Sequence, residues 1–258
     1  MKHIRKKYNF QVEVSDDQQQ IIENNPLVEK YDVTNMPHAK KPAKNKDIIL
    51  FLQAGFAVKA FHHFENNVNY FVPEPHPVLV YYDSAYSNYI KIEEQKQKLL
   101  LAVNNSIDES MEIVIYRYYS LVTGFAIFLF TSIDCFMNQL IPDGFTCQLP
   151  RKNGMEIFDK KRIERELQFN QKFNVIKEAT LKDFKVDHPL KYHTLDRLRK
   201  FRNSIIHTKA EDDKRTPYEG IFKPALAFKY KESLIAAKAY MNYFIPKFIE
   251  DCPCKNQW

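Results

Sequence analysis

Residues 111–141 read MEIVIYRYYSLVTGFAIFLFTSIDCFMNQLI, a long run rich in apolar side chains. Pro142 and Gly144 follow it directly, and both residue types commonly end helices. Ser106 and Glu109 precede it with the spacing of a capping box, in which each side chain accepts a hydrogen bond from a backbone N–H. The pattern predicts one long helix, of roughly 50 Å at about 1.5 Å per residue.

The most apolar part of this run, residues 121–133, raises the question of a membrane. Arg117 and Asp134 flank it, and the stretch between them is shorter than the roughly 20 residues that a spanning helix needs. We therefore interpret it as a buried core helix and expect no membrane association. A membrane-associated or purely structural helical protein built on residues 113–141 is an alternative.

Three more helices are predicted downstream, because apolar residues there recur at helical spacing. They cover about residues 159–179, from 189 or 194 to 209, and 231–249. Four helices joined by short or moderate loops predict an all-α fold, an antiparallel bundle of four to five helices. This helical domain would span residues 106–250, followed by a C-terminal tail at 251–258.

Residues 1–105 are expected to form an N-terminal extension, an accessory region whose role the sequence does not indicate. A short helix is predicted at about residues 16–23, and a helix with a broad apolar face at residues 47–64. Residues 86–103 fit a helix or a strand equally well, and both remain open.

Prolines at three of the five positions 73–77 argue against a helix in the middle of this extension. The apolar runs on either side, residues 70–72 and 78–82, have the composition of short strands. The composition of the extension is therefore compatible with a small β-hairpin.

Glycine is scarce, and this excludes several kinds of nucleotide site. The five glycines stand at positions 55, 124, 144, 154 and 220. That spacing allows neither a GxGxxG dinucleotide fingerprint nor a Walker A loop. The formal net charge of +6 permits a polyanionic partner but does not by itself indicate one.

Cysteine and histidine give little sign of a metal site or of oxidised surroundings. Four cysteines are too few for a disulfide scaffold in a chain of this length, and the basic start of the sequence has no apolar run behind it. These features favour a cytoplasmic location. Cys252-Pro253-Cys254 has no matching Cys/His pair elsewhere in the sequence, so we expect no metal and no cofactor.

The segment whose side chains are best suited to catalysis is RNSIIH, residues 202–207. An arginine followed by a histidine after four to six residues is common by chance, so the context matters. Here the pair lies near the C-terminal end of the penultimate predicted helix, Asn203 follows Arg202 directly, and apolar residues precede His207. In this arrangement residues 106–250 resemble the HEPN superfamily, whose signature is Arg-x(4–6)-His with Asn, Asp or His after the arginine.

Other residues would support such a site. Asp134 and Asn138 look like the acidic-x3-Asn element of many HEPN domains, and residues four apart share a helix face. Ser204, inside the motif, is a further supporting candidate. Weaker candidates for contact with RNA are the basic residues Arg199, Lys200 and Lys209.

The resemblance implies a metal-independent endoribonuclease that cuts RNA through attack of the 2′-hydroxyl on the adjacent phosphate, and that acts as a homodimer with two motifs facing each other across a cleft. His207 would transfer protons, because histidine is the side chain that most often does so in enzymes. Arg202 would grip phosphate oxygens with two parallel N–H bonds. Asn203 would orient the imidazole or touch the RNA backbone. A toxin or anti-phage defence effector is the implied biological class, and a neutralising or sensing protein partner would be compatible with it.

Helical geometry sets a condition on this site. Arg202 and His207 are five residues apart, about 140° around a helix of 3.6 residues per turn. They can act on one phosphate only if the helix ends or bends near His207, or if they come from different subunits.

Charge supports the same region. Residues 151–215 contain 18 Lys and Arg against 11 Asp and Glu, whereas the rest of the chain is close to neutral. A groove for a phosphate backbone would have this excess, and so would an ordinary pair of helices with interleaved charges. The competing interpretation of the domain is a non-catalytic HEPN-like module that dimerises or binds RNA or a nucleotide.

Overall fold

The computed structural model describes residues 3–32, 41–52, 55–105, 109–151, 154–208, 216 and 218–254. Contacts divide the chain into two compact units. We call Lys6–Val80 the sheet unit, and Met1–Arg5 together with Tyr81–Trp258 the helical unit.

The sheet unit is built on a mixed five-stranded sheet in the order β1-β4-β3-β2, with β5 also paired to β4. Strands β2 and β3 run parallel, and the other neighbours run antiparallel. Buried side chains from β3, β4 and β5 form its core, with Leu50 and Val58 completely buried. The elements are β1 (Val12–Glu13), α1 (Asp16–Glu23), β2 (Val28–Asp32), β3 (Asp47–Leu52), β4 (Phe56–Glu65) and β5 (Val68–Pro73).

The predicted helix over residues 47–64 is wrong, because this segment forms β3 and β4. The apolar residues of this segment fit the spacing of a helix as well as that of two strands. The residues that decide between the two structures follow the segment directly. Asn66 and Asn67 have φ angles of 51° and 62°, a left-handed conformation that asparagine tolerates. Two such residues make the tight turn that joins antiparallel strands, and Glu65 pairs with Val68 across it.

The helical unit contains eight helices and a β-hairpin among its described residues. Helix α2 begins at Pro77 and enters this unit at Tyr81. The elements are α2 (Pro77–Asn105), α3 (Glu109–Gln139), β6 (Thr146–Arg151), β7 (Gly154–Asp159), α4 (Lys160–Glu166), α5 (Phe169–Thr180), α6 (Phe184–Asp187), α7 (Pro189–Ile206), α8 (Glu219–Ala227) and α9 (Tyr230–Phe244).

The expectation of an all-α fold is therefore wrong: of the residues that the structure describes, 58% are helix and 20% strand, with one mixed sheet and a separate two-stranded hairpin. Residues 78–82, expected as a strand, lie in α2. Pro77 is the first residue of that helix, a position where the missing N–H costs nothing. Residues 70–72 do form a strand, but it pairs with β4.

Other boundaries also differ from the expected ones. The expected helix at 159–179 is two helices, because Leu167 and Gln168 have extended backbone between α4 and α5. The contacts separate the two units between residues 80 and 81, whereas the sequence suggested a boundary after residue 105. The expected capping box cannot be compared with the structure, because Ser106 lies outside the described residues.

The core of the helical unit lies between α3, α5, α7 and α9. Helix α3 contributes completely buried side chains, including Phe125, Leu129 and Phe136. The ring of Tyr240 on α9 is wholly buried and packs within 6 Å of the rings of Phe136 and of Phe173. These aromatic contacts hold α9 against α3 and α5. Helix α7, which carries the candidate site, packs against both α3 and α9.

Helix α3 is also long and apolar enough, over Met111–Gln139, to cross a membrane by length and composition. In the most apolar 18-residue stretch of this helix, half of the helix is buried inside the protein. The core helix of a soluble protein passes the same test, so this feature is weak support for a membrane span.

Candidate functional site

The motif residues lie at the C-terminal end of α7. The helix ends at Ile206, and His207 occupies the C-cap with φ −99° and ψ 49°, outside the helical region. Its side chain is exposed. One of the two conditions for Arg202 and His207 to act on a single phosphate, a helix that ends near His207, is therefore met.

Asn203 contacts both of the other motif residues. Its Oδ1 accepts a hydrogen bond from Nη1 of Arg202 at 3.1 Å. Its backbone carbonyl accepts the backbone N–H of His207 at 2.9 Å. The side chain of Asn203 therefore orients the guanidinium of Arg202, whereas the imidazole of His207 is linked to Asn203 only through the backbone.

The guanidinium of Arg202 packs on an aromatic ring. Its guanidinium carbon lies 5.1 Å from the centroid of the Phe130 ring on α3, and Phe130 is buried. A cation over a ring gains about 0.5 to 2 kcal/mol, depending on its exposure to water. Phe130 was not expected from the sequence, because a single aromatic residue in a long apolar helix has no distinguishing pattern.

The guanidinium of Arg202 has more N–H groups than hydrogen-bond acceptors around it. Its Nε is buried and has no hydrogen-bond partner, and Nη2 donates to no residue in the part of the chain that the structure describes. A buried donor left unsatisfied costs about 1 to 3 kcal/mol. The arginine is thus fixed in place by Phe130 and Asn203 with hydrogen-bonding capacity to spare.

Asp134 and Asn138 share a face of α3, as their spacing predicts, but they bind another residue. Nζ of Lys172 on α5 donates to Oδ1 of Asp134 and to Oδ1 of Asn138, at 2.8 Å in both cases. The Lys172 side chain is only 3% exposed, and that of Asp134 is 40% exposed. The two residues therefore pair a buried ammonium group, and no hydrogen bond joins them to the described motif residues.

Lys172 was missed in the sequence, although a signal for it exists. It lies three residues after Phe169 and four before Ile176, so it shares the apolar face of α5 with both. A lysine on an apolar face predicts a carboxylate partner, because a buried charge is costly unless paired. Phe130 precedes Asp134 by one turn of α3, so the Lys172 cluster and the Arg202 ring contact lie on neighbouring turns of one helix.

The weaker candidates have local roles. Ser204 Oγ donates to the carbonyl of Phe201 at 2.7 Å, a bond within α7. Arg199 and Lys200 both bind Asp196, at 2.8 and 2.9 Å.

Burial works against ionisation of the Asp196 carboxyl. The hydrogen bonds and charges of Lys200 and Arg199 outweigh that effect and hold the pKa of Asp196 below its ordinary value. These two cations are therefore partly neutralised on the helix surface. Lys209 lies outside the described residues.

A small cavity of about 180 Å³ lies between α3, α7 and α8, beside the end of α7. Its lining is mostly apolar and includes three aromatic rings, those of Tyr119, Phe201 and Phe222. The centroids of the Tyr119 and Phe222 rings are 4.7 Å apart. Ile205 and Thr208, close to His207 in sequence, also line it. A cavity of about 670 Å³ elsewhere in the helical unit is lined by none of the motif residues.

The described residues contain one group of three or more side chains able to hold a metal ion, and it lies away from α7 in sequence. It consists of His3, Cys252 and Cys254. The candidate site around Arg202 and His207 itself offers a guanidinium, an amide and an imidazole, a set suited to binding and protonating a phosphodiester.

Comparisons with models of known protein families, with characterised proteins and with solved structures found no match.

Proposed function

We propose that the helical unit is a metal-independent endoribonuclease of the HEPN type, with Arg202, Asn203 and His207 at its active site. The observation that supports this most is the arrangement at the end of α7. Asn203 holds the guanidinium of Arg202 with its side chain and the backbone of His207 with its carbonyl. The guanidinium is therefore fixed by a side chain, and the backbone of His207 is fixed by the end of the helix.

Arg202 binds the scissile phosphate. The ring of Phe130 and Oδ1 of Asn203 fix the guanidinium, and Nη2 remains to donate to an oxygen. A positioned guanidinium matches the fork of two phosphate oxygens and stabilises the extra negative charge of the phosphorane. The lysines of α7 cannot replace it, since an ammonium group is a single point charge.

His207 transfers protons. Its exposed imidazole takes the proton from the 2′-hydroxyl while the 2′-oxygen forms a bond to phosphorus. The bond from phosphorus to the 5′-oxygen then breaks, and that oxygen receives a proton from a second acid. In a homodimer this acid is His207 of the partner subunit, which requires the ends of two α7 helices to meet. The products carry a 2′,3′-cyclic phosphate and a 5′-hydroxyl.

The cavity beside α7 fits a base next to the cleaved bond. Single-stranded RNA presents unstacked bases, and stacking on an aromatic ring is worth about 1 to 3 kcal/mol per base. Phe222 is 41% exposed and its ring belongs to the cavity wall. We therefore assign single-stranded or loop RNA as the substrate class, and a toxin or anti-phage effector as the biological role.

Expression in a bacterial host tests this proposal. The wild-type chain should slow growth and reduce intact cellular RNA, and His207→Ala should do neither. His193→Ala is the matched control, because His193 is another exposed histidine of α7 that has no role in the mechanism. Equal harmlessness of wild type and His207→Ala, with no RNA cleavage by the purified wild type, would sink the proposal.

One observation favours a second function, binding of RNA without cleavage. Asp134 and Asn138, which the family resemblance would place in support of the site, instead pair Lys172. A helix end with one arginine and one histidine could hold a phosphate backbone without acting on it. Binding of a single-stranded RNA that stays intact, weakened in Arg202→Ala, would identify this alternative.

A further inference from the structure

A cluster of soft metal ligands lies in the helical unit, formed by two segments far apart in sequence. Sγ of Cys254 is 2.9 Å from Nε2 of His3 and 3.1 Å from Sγ of Cys252. All three ligand atoms lie within 4.8 Å of one another. The three side chains are each partly buried, so an ion could reach them from solvent.

The backbone holds these side chains together without any ion. Cys252 N–H donates to the carbonyl of His3 at 2.9 Å, and Ile4 pairs with Asp251 as an antiparallel bridge. Arg5 N–H donates to the carbonyl of Glu250 at 2.8 Å. The residues that carry the ligands are therefore in place before binding, which lowers the entropy cost of forming a site.

The second segment is also fixed to α9. Ile249 exchanges two hydrogen bonds with the side chain of Asn242, at 2.8 and 3.1 Å, and Lys238 forms an ion pair with Asp251 at 3.1 Å. Ile4 and Ile249 are each 1% exposed and anchor the two segments in the core. The ligand cluster thus rests on packed structure.

The Cys-Pro-Cys sequence suits a pair of ligands. Proline fixes its own φ and favours extended backbone in the residue before it. Side chains two residues apart in extended backbone lie on the same side, which is how both sulfur atoms come to face His3. None of the four cysteines forms a disulfide in the structure.

We propose that His3, Cys252 and Cys254 bind a zinc ion that clasps segment 3–5 to segment 250–254. Two thiolates and one imidazole are a donor set that zinc accepts, with a water molecule or an added ligand as the fourth. Binding releases the two thiol protons to solvent, so the bound unit is electrically neutral. At Zn–S and Zn–N lengths of about 2.3 and 2.0 Å, the ligand atoms would separate by roughly half an ångström from their present spacing.

The clasp is structural and takes no part in the chemistry at His207. It ties together two segments separated by most of the chain, and a ligand that binds only the folded state raises the temperature of unfolding. The sequence pattern did not reveal it, since Cys252 and Cys254 have no Cys/His pair at zinc-finger spacing and His3 lies some 250 residues away.

Metal content of the untagged full chain, prepared with a phosphine reductant, tests the clasp. Wild type should carry about one zinc per chain after exposure to zinc and gel filtration. Cys252→Ser, Cys254→Ser and His3→Gln should each lower zinc affinity by at least about tenfold. Cys135→Ser and His63→Gln are the matched controls and should retain the metal.

Two further readouts separate loss of a ligand from loss of the fold. Replacing zinc with Co²⁺ should give a thiolate-to-metal charge-transfer band in wild type that Cys252→Ser weakens and the double variant abolishes. Added zinc should raise the unfolding temperature of wild type but not of the ligand variants. A wild-type chain that retains no zinc, zinc retention unchanged in all three variants, binding of Cu⁺ but not zinc, or a Cys252–Cys254 disulfide in freshly alkylated cells would each overturn the proposal.

Discussion

At the scale of single residues, Arg202 shows how a side chain can be both fixed and available. Phe130 supports one face of the guanidinium, Asn203 accepts from Nη1, and Nε stays buried without a partner among the described residues. The spare donor Nη2 has a reason in the proposed mechanism, where it donates to a phosphate oxygen.

Arg202→Lys should therefore lose activity without unfolding. We expect kcat for RNA cleavage to fall by roughly a hundredfold, the usual effect of removing one donor from a transition state. Stability should change by less than about 1 kcal/mol, since the aliphatic stem can still cover Phe130. Single-turnover cleavage and urea unfolding measure the two effects, with Arg197→Lys as the matched control on the same helix. Equal cleavage by Arg202→Lys and wild type would show that no bidentate arginine is needed.

A second prediction at this scale concerns the ion pair of Lys172 and Asp134: removal of the carboxylate should destabilise the protein more than removal of the ammonium group. Asp134→Ala leaves a buried ammonium group with Asn138, and should destabilise the protein by about 2 to 3 kcal/mol, less than a fully buried pair because Asp134 is 40% exposed. Lys172→Met leaves a carboxylate that water can reach, and should cost less than about 1 kcal/mol. Urea unfolding of both variants measures this difference. A larger loss in Lys172→Met would mean that the ammonium group is not effectively buried.

At the scale of elements, Arg162 ties α4 to the hairpin of β6 and β7. Its guanidinium donates to Glu156, to Glu166 and to the carbonyl of Ile157, and stacks over the ring of Phe158. Hydrogen bonds from Arg162 and then from Arg165 lower the pKa of Glu166 to about 2. One arginine thus links a helix to the strand that precedes it.

This depressed pKa gives the connection a defined pH dependence. A carboxyl whose pKa is lower in the folded state stabilises the fold above its unfolded pKa, and loses that effect as pH falls toward the folded value. The contribution of Glu166 is therefore present at neutral pH and disappears between about 4.5 and about 2. In Arg162→Leu, NMR titration should show the pKa of Glu166 rising toward its ordinary value. Lys161→Leu is the control, and an unchanged titration in Arg162→Leu would rule out the ion pair.

The elements also show which parts of the fold the sequence could predict. Helical spacing located α3, α7 and α9, because each of them buries one stripe of apolar residues. The short helix α1 was also located, although none of its residues is buried. Helical spacing failed at β3 and β4, whose apolar run fits either structure until the Asn66-Asn67 turn is included. It failed at residues 78–82, because the prolines before them were treated as barriers when Pro77 begins a helix.

The site was predictable to a similar extent. Residues 202–207 were placed at the end of α7 because helix position follows from local spacing. Two features depend on the folded chain and could not be predicted from the sequence: the ring that packs on Arg202, and the meeting of His3 with Cys252 and Cys254. The burial of Lys172 had a signal in the sequence, its position on the apolar face of α5.

At the scale of the whole molecule, the proposed function depends on the distribution of charge and on the assembly of two chains. Residues 151–215, which include α7, carry a net charge of +7, and the rest of the chain sums to −1. Such an excess makes binding to a phosphate backbone strongly dependent on salt. The proposed mechanism needs a second proton donor, which a homodimer with two α7 ends in contact would supply. A neutralising or sensing partner that covers the basic surface of α7 would control the proposed activity.

The chemistry of the cleaved ends tests the central claim most directly. A defined single-stranded RNA is incubated in EDTA with wild type, with His207→Ala and with Cys252→Ser/Cys254→Ser, and the ends are identified by mass spectrometry. The account predicts 2′,3′-cyclic phosphate and 5′-hydroxyl ends from wild type and from the double cysteine variant, and loss of at least about a hundredfold in rate in His207→Ala. Ends with 5′-phosphate that require added metal, equal cleavage by His207→Ala, or an RNA left intact by the wild type would contradict it.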